Sequence, residues 1–276
     1  MPEHAVTLPA PASLVGVFTE AEEGERSGPA VIFLNAGLLH RVGPNRVYVR
    51  MARELARRGV SSLRFDLSGV GDSPPRTDGL PLRAAALRDV SDAMAFLEAT
   101  RAVSSFILIG ICSGADLAFR VALADERVVG VGLIDGFVYR TARSYLYDSA
   151  SRVSRVIFPG WWRELVGSHG RLRRGLPFLS GKAAGTATGG GGRDIPSRDE
   201  ADAGLRELAR RGVNLLIVHS EGRGYSYPQQ FADVFPFVPT DRVELDYLRG
   251  ADHSFTLVAN QDRLVRAAVD WTARLR

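Results

Sequence analysis

The residues with the most chemical content are Gly110-Ile111-Cys112-Ser113-Gly114, a glycine-bounded turn around the chain's single cysteine. An apolar run, Ser105 to Ile111, precedes it, and a helical pattern through Leu117, Val121 and Leu123 follows. A strand entering Gly-x-nucleophile-x-Gly and leaving as a helix forces its middle residue into a strained conformation. The side chain is thereby raised above the sheet edge, at the positive end of the helix. Cys112 is that residue. Ser113 is one step late in the frame, and its backbone N–H is instead placed to form half of an oxyanion hole. A thiolate there is stabilised by the helix dipole and by a neighbouring imidazole, so it suits attack on an ester or thioester carbonyl. A free cysteine is also a common small core residue; the strand before and helix after favour the reactive reading.

The flanking elements must position this turn. Ala30 to Gly37 reads as a buried parallel strand, Asn45 to Arg58 as an amphipathic helix, and Ser61 to Asp66 as the next strand. Helices follow over Pro81 to Thr100, Ala201 to Arg211 and Gln261 to Arg274, with strands over Val128 to Ile134, Asn214 to His219 and Asp241 to Leu248. This alternation implies the α/β class, with a mostly parallel, doubly wound sheet. The runs before residue 20, including Ser13 to Thr19, fit an antiparallel edge hairpin. Between Gly136 and Arg198 the alternation stops, in a stretch holding Trp161-Trp162 and a glycine tract at Gly189 to Gly192. The expected organisation is a core over 1–138 and 200–276 with a helical lid insert over 139–199.

Bulk properties narrow the function. No run of about 18 or more apolar residues occurs, so no membrane span is expected. The start Met1-Pro2-Glu3-His4 lacks the features of a signal peptide, and one cysteine suits a reducing interior, so the cytoplasm is the expected compartment. Net charge is +4, unevenly spread. Between Arg140 and Arg193 ten basic residues face only Asp148 and Glu164, a local +8 that leaves −4 on the rest of the chain. Such a surface attracts acidic partners. No nucleic-acid motif accompanies it, so nucleic acid is not expected, and neither a cofactor nor a metal is implied.

Three motifs together resemble the α/β-hydrolase superfamily over nearly the whole chain: Gly110 to Gly114, Asp66-Leu67-Ser68-Gly69-Val70-Gly71-Asp72-Ser73, and Gly250-Ala251-Asp252-His253. The resemblance implies the α/β-hydrolase fold and is closest in kind to members with a cysteine nucleophile, such as dienelactone hydrolases, some thioesterases and Dieckmann cyclases. It places the base at His253. The usual acid turn reads His219-Ser220-Glu221-Gly222-Arg223-Gly224, with Arg223 where an Asp belongs. The superfamily's alternative acid position falls on Asp135, with Glu221 as second choice. The loop Asn35-Ala36-Gly37-Leu38-Leu39 replaces the family's His-Gly turn, so the Leu38 N–H is expected to join that of Ser113 on the oxyanion. In the following loop His40, Arg41, Asn45 and Arg46 are candidate contacts for a substrate carboxylate or phosphate, or else a solvated loop with a helix cap. Trp161 is a candidate acyl-chain contact.

The expected reaction is acyl transfer on an ester or thioester through a Cys112 acyl-enzyme, with an acidic acyl carrier protein as the candidate partner of the basic insert. The alternatives are a Dieckmann-type cyclase that releases a ring and a non-catalytic ligand-binding relative.

Overall fold

The computed structural model describes residues 2–9, 13–22, 28–147, 193, 195–221 and 224–275. The expected doubly wound sheet is present. Strands β1 (Glu3–Thr7), β2 (Val15–Thr19), β3 (Ala30–Leu34), β4 (Ser62–Phe65), β5 (Phe106–Ile111), β6 (Val128–Ile134), β7 (Asn214–Ser220) and β8 (Val243–Leu248) pair in the order β1-β2-β4-β3-β5-β6-β7-β8. β1 and β2 form the antiparallel edge hairpin, and β3 to β8 run parallel. The helices are α1 (Val47–Arg57), α2 (Leu82–Arg101), α3 (Ser113–Ala124), α4 (Arg198–Arg210), α5 (Gln230–Val234) and α6 (Val258–Ala273). Most of the expected 139–199 insert, including Trp161 and the arginines at 171, 173 and 174, lies outside the described residues.

The central strands are apolar on every residue because both faces are covered. Ile32, Leu34, Phe106 and Leu108 face one layer, which includes side chains of α2, α3 and α4. Val31, Phe33, Ile107 and Ile109 face the other, built on α1 and α6. On β6 the second face carries glycines instead. A Cβ at Gly130 would lie 3.2 Å from the Trp271 ring, so small residues there let α6 sit close.

Three helix starts differ by two or three residues from those expected, and α6 opens at Val258, three residues early. α1 begins at Val47 because Asn45 (φ 47°) and Arg46 (φ 63°) are left-handed and break the expected run. α4 starts three residues early. Ser197 and Glu200 form a capping box there, and its polar first turn carries no apolar period to read.

Tyr48, fully buried on α1, ties the sheet where the β3–β5 ladder ends. Its hydroxyl donates to the Leu34 carbonyl and accepts the Ile111 N–H, each at 2.9 Å. Tyr48→Phe creates no cavity but orphans the buried Ile111 N–H. Urea unfolding should show a loss of about 1–3 kcal/mol with an unchanged slope.

Candidate active site

The β5–α3 turn explains its own glycines. A Cβ at Gly110 would fall 2.1 Å from the Gly114 carbonyl carbon, and one at Gly114 would fall 2.7 Å from the carbonyl oxygens of Leu34 and Asn35. Helix and strand therefore approach more closely than any side chain permits. Between them Cys112 adopts φ 61°, ψ −122°, a region costly for a residue with a side chain, while its N–H is held by the Ile134 carbonyl at 2.8 Å. The side chain is half-buried in front of α3.

His253 stands opposite, on the loop after β8. It hydrogen-bonds the Cys112 thiol, and its Nδ1 lies 2.8 Å from Asp135 Oδ2. With Nδ1 engaged by the carboxylate, Nε2 is the nitrogen left for sulfur. Asp135 follows β6 directly and is buried, with φ 48°. Ser220, at the end of β7, orients it: the Ser220 N–H donates to Oδ1 at 2.7 Å and the hydroxyl to Oδ2 at 2.5 Å. The sequence carried no local signal for Ser220. Glu221 instead accepts the Gly250 N–H at 2.7 Å.

Burial alone would raise the Cys112 thiol. The His253 hydrogen bond, the positive charges of Arg193 and His253, and the Ser113 N–H together outweigh it and hold the thiol below its ordinary value. Asp135 follows the same logic, with burial raising it and the bonds from His253 and Ser220 bringing it below the usual carboxylate value. His219 is a buried contrast. Desolvation pushes its imidazole down to about 3, and neither ring nitrogen has a hydrogen-bond partner among the described residues. It is neutral at pH 7 and stacks on Tyr225.

The loop after β3 is held by the Asp66 motif. The buried Asp66 carboxylate accepts the Asn35 amide at 3.0 Å and the Arg41 N–H at 2.6 Å. A Cβ at Gly71 would lie 2.4 Å from Asp66 Oδ2, which accounts for glycine in that turn. Ser113 Oγ accepts the Gly37 N–H at 2.7 Å, which leaves the Leu38 N–H as the next donor along the loop.

Other expected contacts are placed differently. The Arg41 guanidinium bonds both Asp66 and Asp72, and His40 Nε2 lies 3.2 Å from Asp72 and 2.7 Å from Arg41, so protein carboxylates occupy both side chains. His40, Asp66 and Asp72 have the spacing of a metal site, but Arg41 already supplies the cation there, so the donor set does not fit a metal ion as well. Asn45 Nδ2 donates to the Ser254 carbonyl at 2.8 Å and so braces the His253 loop. Arg46 is exposed, and its charge acts on Glu3. Besides Ser220, a residue that local pattern does not single out is Arg193, bonded to Asp116 on α3; by sequence it counts only as insert charge.

Comparisons with known proteins agree with this architecture. The family model for the alpha/beta hydrolase fold matches residues 29–179. Among solved structures, a dienelactone hydrolase from Anabaena variabilis superposes with TM-score 0.60 at 15% identity, covering 100% of this chain and 99% of its own. An alpha-beta serine hydrolase homologue from Coxiella burnetii gives 0.58 at 15%, covering 98% and 97%. A proline iminopeptidase from Mycobacterium smegmatis gives 0.54 at 14%, covering 98% of each chain. No curated protein sequence matches the chain. No helix among the described residues is long and apolar enough to cross a membrane.

A lowered thiol pKa keeps thiolate present as pH falls below the ordinary cysteine range, so alkylation should stay fast in mild acid. Asp135→Asn withdraws the charge that stabilises the imidazolium. The alkylation midpoint should then move to higher pH, and the rate at about pH 6 should fall roughly tenfold, the size of a one-unit shift. A pH series with iodoacetamide reads both.

Proposed function

The chain belongs to the α/β-hydrolase fold family, and from that premise we propose that it is an acyl-transfer enzyme acting on an ester or thioester through a Cys112 acyl-enzyme. One observation carries the reading: a half-buried cysteine at positive φ, on the N-cap of α3, hydrogen-bonded to a histidine whose other nitrogen is held by a buried aspartate.

The steps follow from that geometry. Cys112 Sγ, as thiolate, attacks the carbonyl carbon, and the oxygen takes up the negative charge facing the N–H groups of Ser113 and Leu38. Collapse of the adduct expels an alcohol or thiol, which takes its proton from His253 Nε2. His253 then removes a proton from water, hydroxide attacks the acyl-sulfur carbonyl, and the acid leaves with the thiolate–imidazolium pair restored. Asp135 holds the tautomer and stabilises the imidazolium throughout. A carbon nucleophile within the acyl group would replace water and yield a ring, so the product identifies the resolving step. The charge of the 140–193 segment supports delivery of the acyl group on an acidic carrier protein.

Intact-mass measurement after mixing with an acyl thioester tests this. A one-acyl adduct should form on the wild type and be absent from Cys112→Ala. Ser113→Ala keeps the backbone donor but loses the bond to Gly37, so turnover should fall by about tenfold, near 1.4 kcal/mol in the barrier. Loss of turnover in Ser113→Ala with retention in Cys112→Ala would overturn the assignment.

A further inference from the structure

Asp116 lies in the first turn of α3, four residues beyond the N-cap Cys112, and Arg193, which is bonded to it, is near enough for its charge to act on the Cys112 thiol. The Asp116 N–H points back to the Cys112 carbonyl at 3.3 Å. Its carboxylate is 4% exposed, and Oδ1 is 3.7 Å from the position of a Cβ on Gly136, the residue after Asp135. A buried carboxylate near a thiolate opposes its ionisation unless a cation neutralises it. Arg193 does so. Its Nε and Nη2 donate to the same oxygen, Asp116 Oδ2, at 2.8 and 2.6 Å.

The chain around Arg193 is anchored independently. Tyr139 donates its hydroxyl to the Pro196 carbonyl at 2.6 Å, and Ser197 caps α4. The guanidinium is thereby fixed in the plane of its bond to Asp116, with the side chain 17% exposed. Among the described residues nothing bonds Nη1. Structural neutralisation of Asp116 needs only one face of the fork; the other face is a preorganised donor pair suited to a carboxylate or enolate oxygen.

We propose that Arg193, held by Asp116, is a specificity residue that binds an anionic group on the acyl donor, a carboxylate or enolate oxygen close to the reacting carbonyl. The proposal rests on the reading of Cys112 as nucleophile. It assigns the anion contact to Arg193 rather than to Arg41, whose guanidinium is already taken by Asp66 and Asp72.

Two alkylating reagents of nearly equal size, anionic iodoacetate and neutral iodoacetamide, separate the claims. For the wild type, the iodoacetate-to-iodoacetamide rate ratio should exceed that of a free thiol such as N-acetylcysteine. Arg193→Gln should lower that ratio by about tenfold, and Arg193→Lys, which keeps the charge without the fork, should fall between. A wild-type ratio at or below the free-thiol value overturns the proposal without any variant, so a variant that fails to fold does not shelter it. Equal slowing with both reagents in Arg193→Gln also overturns it. Fast iodoacetamide reaction with no anion preference removes Arg193 alone. Slow reaction of the wild type with iodoacetamide removes the Cys112 reading and this proposal together.

Discussion

Everything at this site depends on how closely α3 approaches β5 and β3. The contact is backbone on backbone, since Gly110 meets Gly114 and Gly114 meets the Leu34 and Asn35 carbonyls. It forces Cys112 to positive φ, a conformation that costs about 1–3 kcal/mol and persists only where its surroundings over-determine it. Here the surroundings are the Ile134 carbonyl on the Cys112 N–H, the Tyr48 hydroxyl between Leu34 and Ile111, and strands buried on both faces. Relaxing the turn would drop the sulfur towards the core. It would also move the Ser113 N–H away from the thiol and the Ser113 hydroxyl away from Gly37.

The same pressure recurs around the pocket. Asn45, Arg46, Cys112, Asp135 and Phe255 are five of the seven non-glycine residues at positive φ among the described residues, and all lie in the loops that follow the carboxyl ends of the strands. Two of them reach across to the His253 loop: Asn45 bonds the Ser254 carbonyl, and Asp135 bonds His253 itself. With the carboxylate supplied from β6, the turn after β7 is released from that duty; Ser220 serves Asp135 and Glu221 serves Gly250.

What could be read from the sequence was what local pattern encodes. The apolar strands, the glycine frame and hence the position of Cys112 are local. The Asp66 motif was legible as a family mark but not as what it does, which is to pin the loop after β3 through Asn35 and Arg41. Arg41 looked available for substrate because its partners are 25 and 31 residues away. Arg193 stayed hidden for the same reason, 77 residues from Asp116 and embedded in a basic segment. Asn45 and Arg46 depart from the helix expected there, and Asn45 instead bonds the Ser254 carbonyl, 209 residues away. Long-range pairing by polar side chains has no period to betray it.

Strand, turn and imidazole together favour the Cys112 thiolate. Ultraviolet titration of the thiolate absorbance, taken as the difference between the wild type and Cys112→Ser, measures that directly. The expected midpoint lies below the ordinary cysteine value of about 8.5. A midpoint at or above that value would contradict a favoured thiolate.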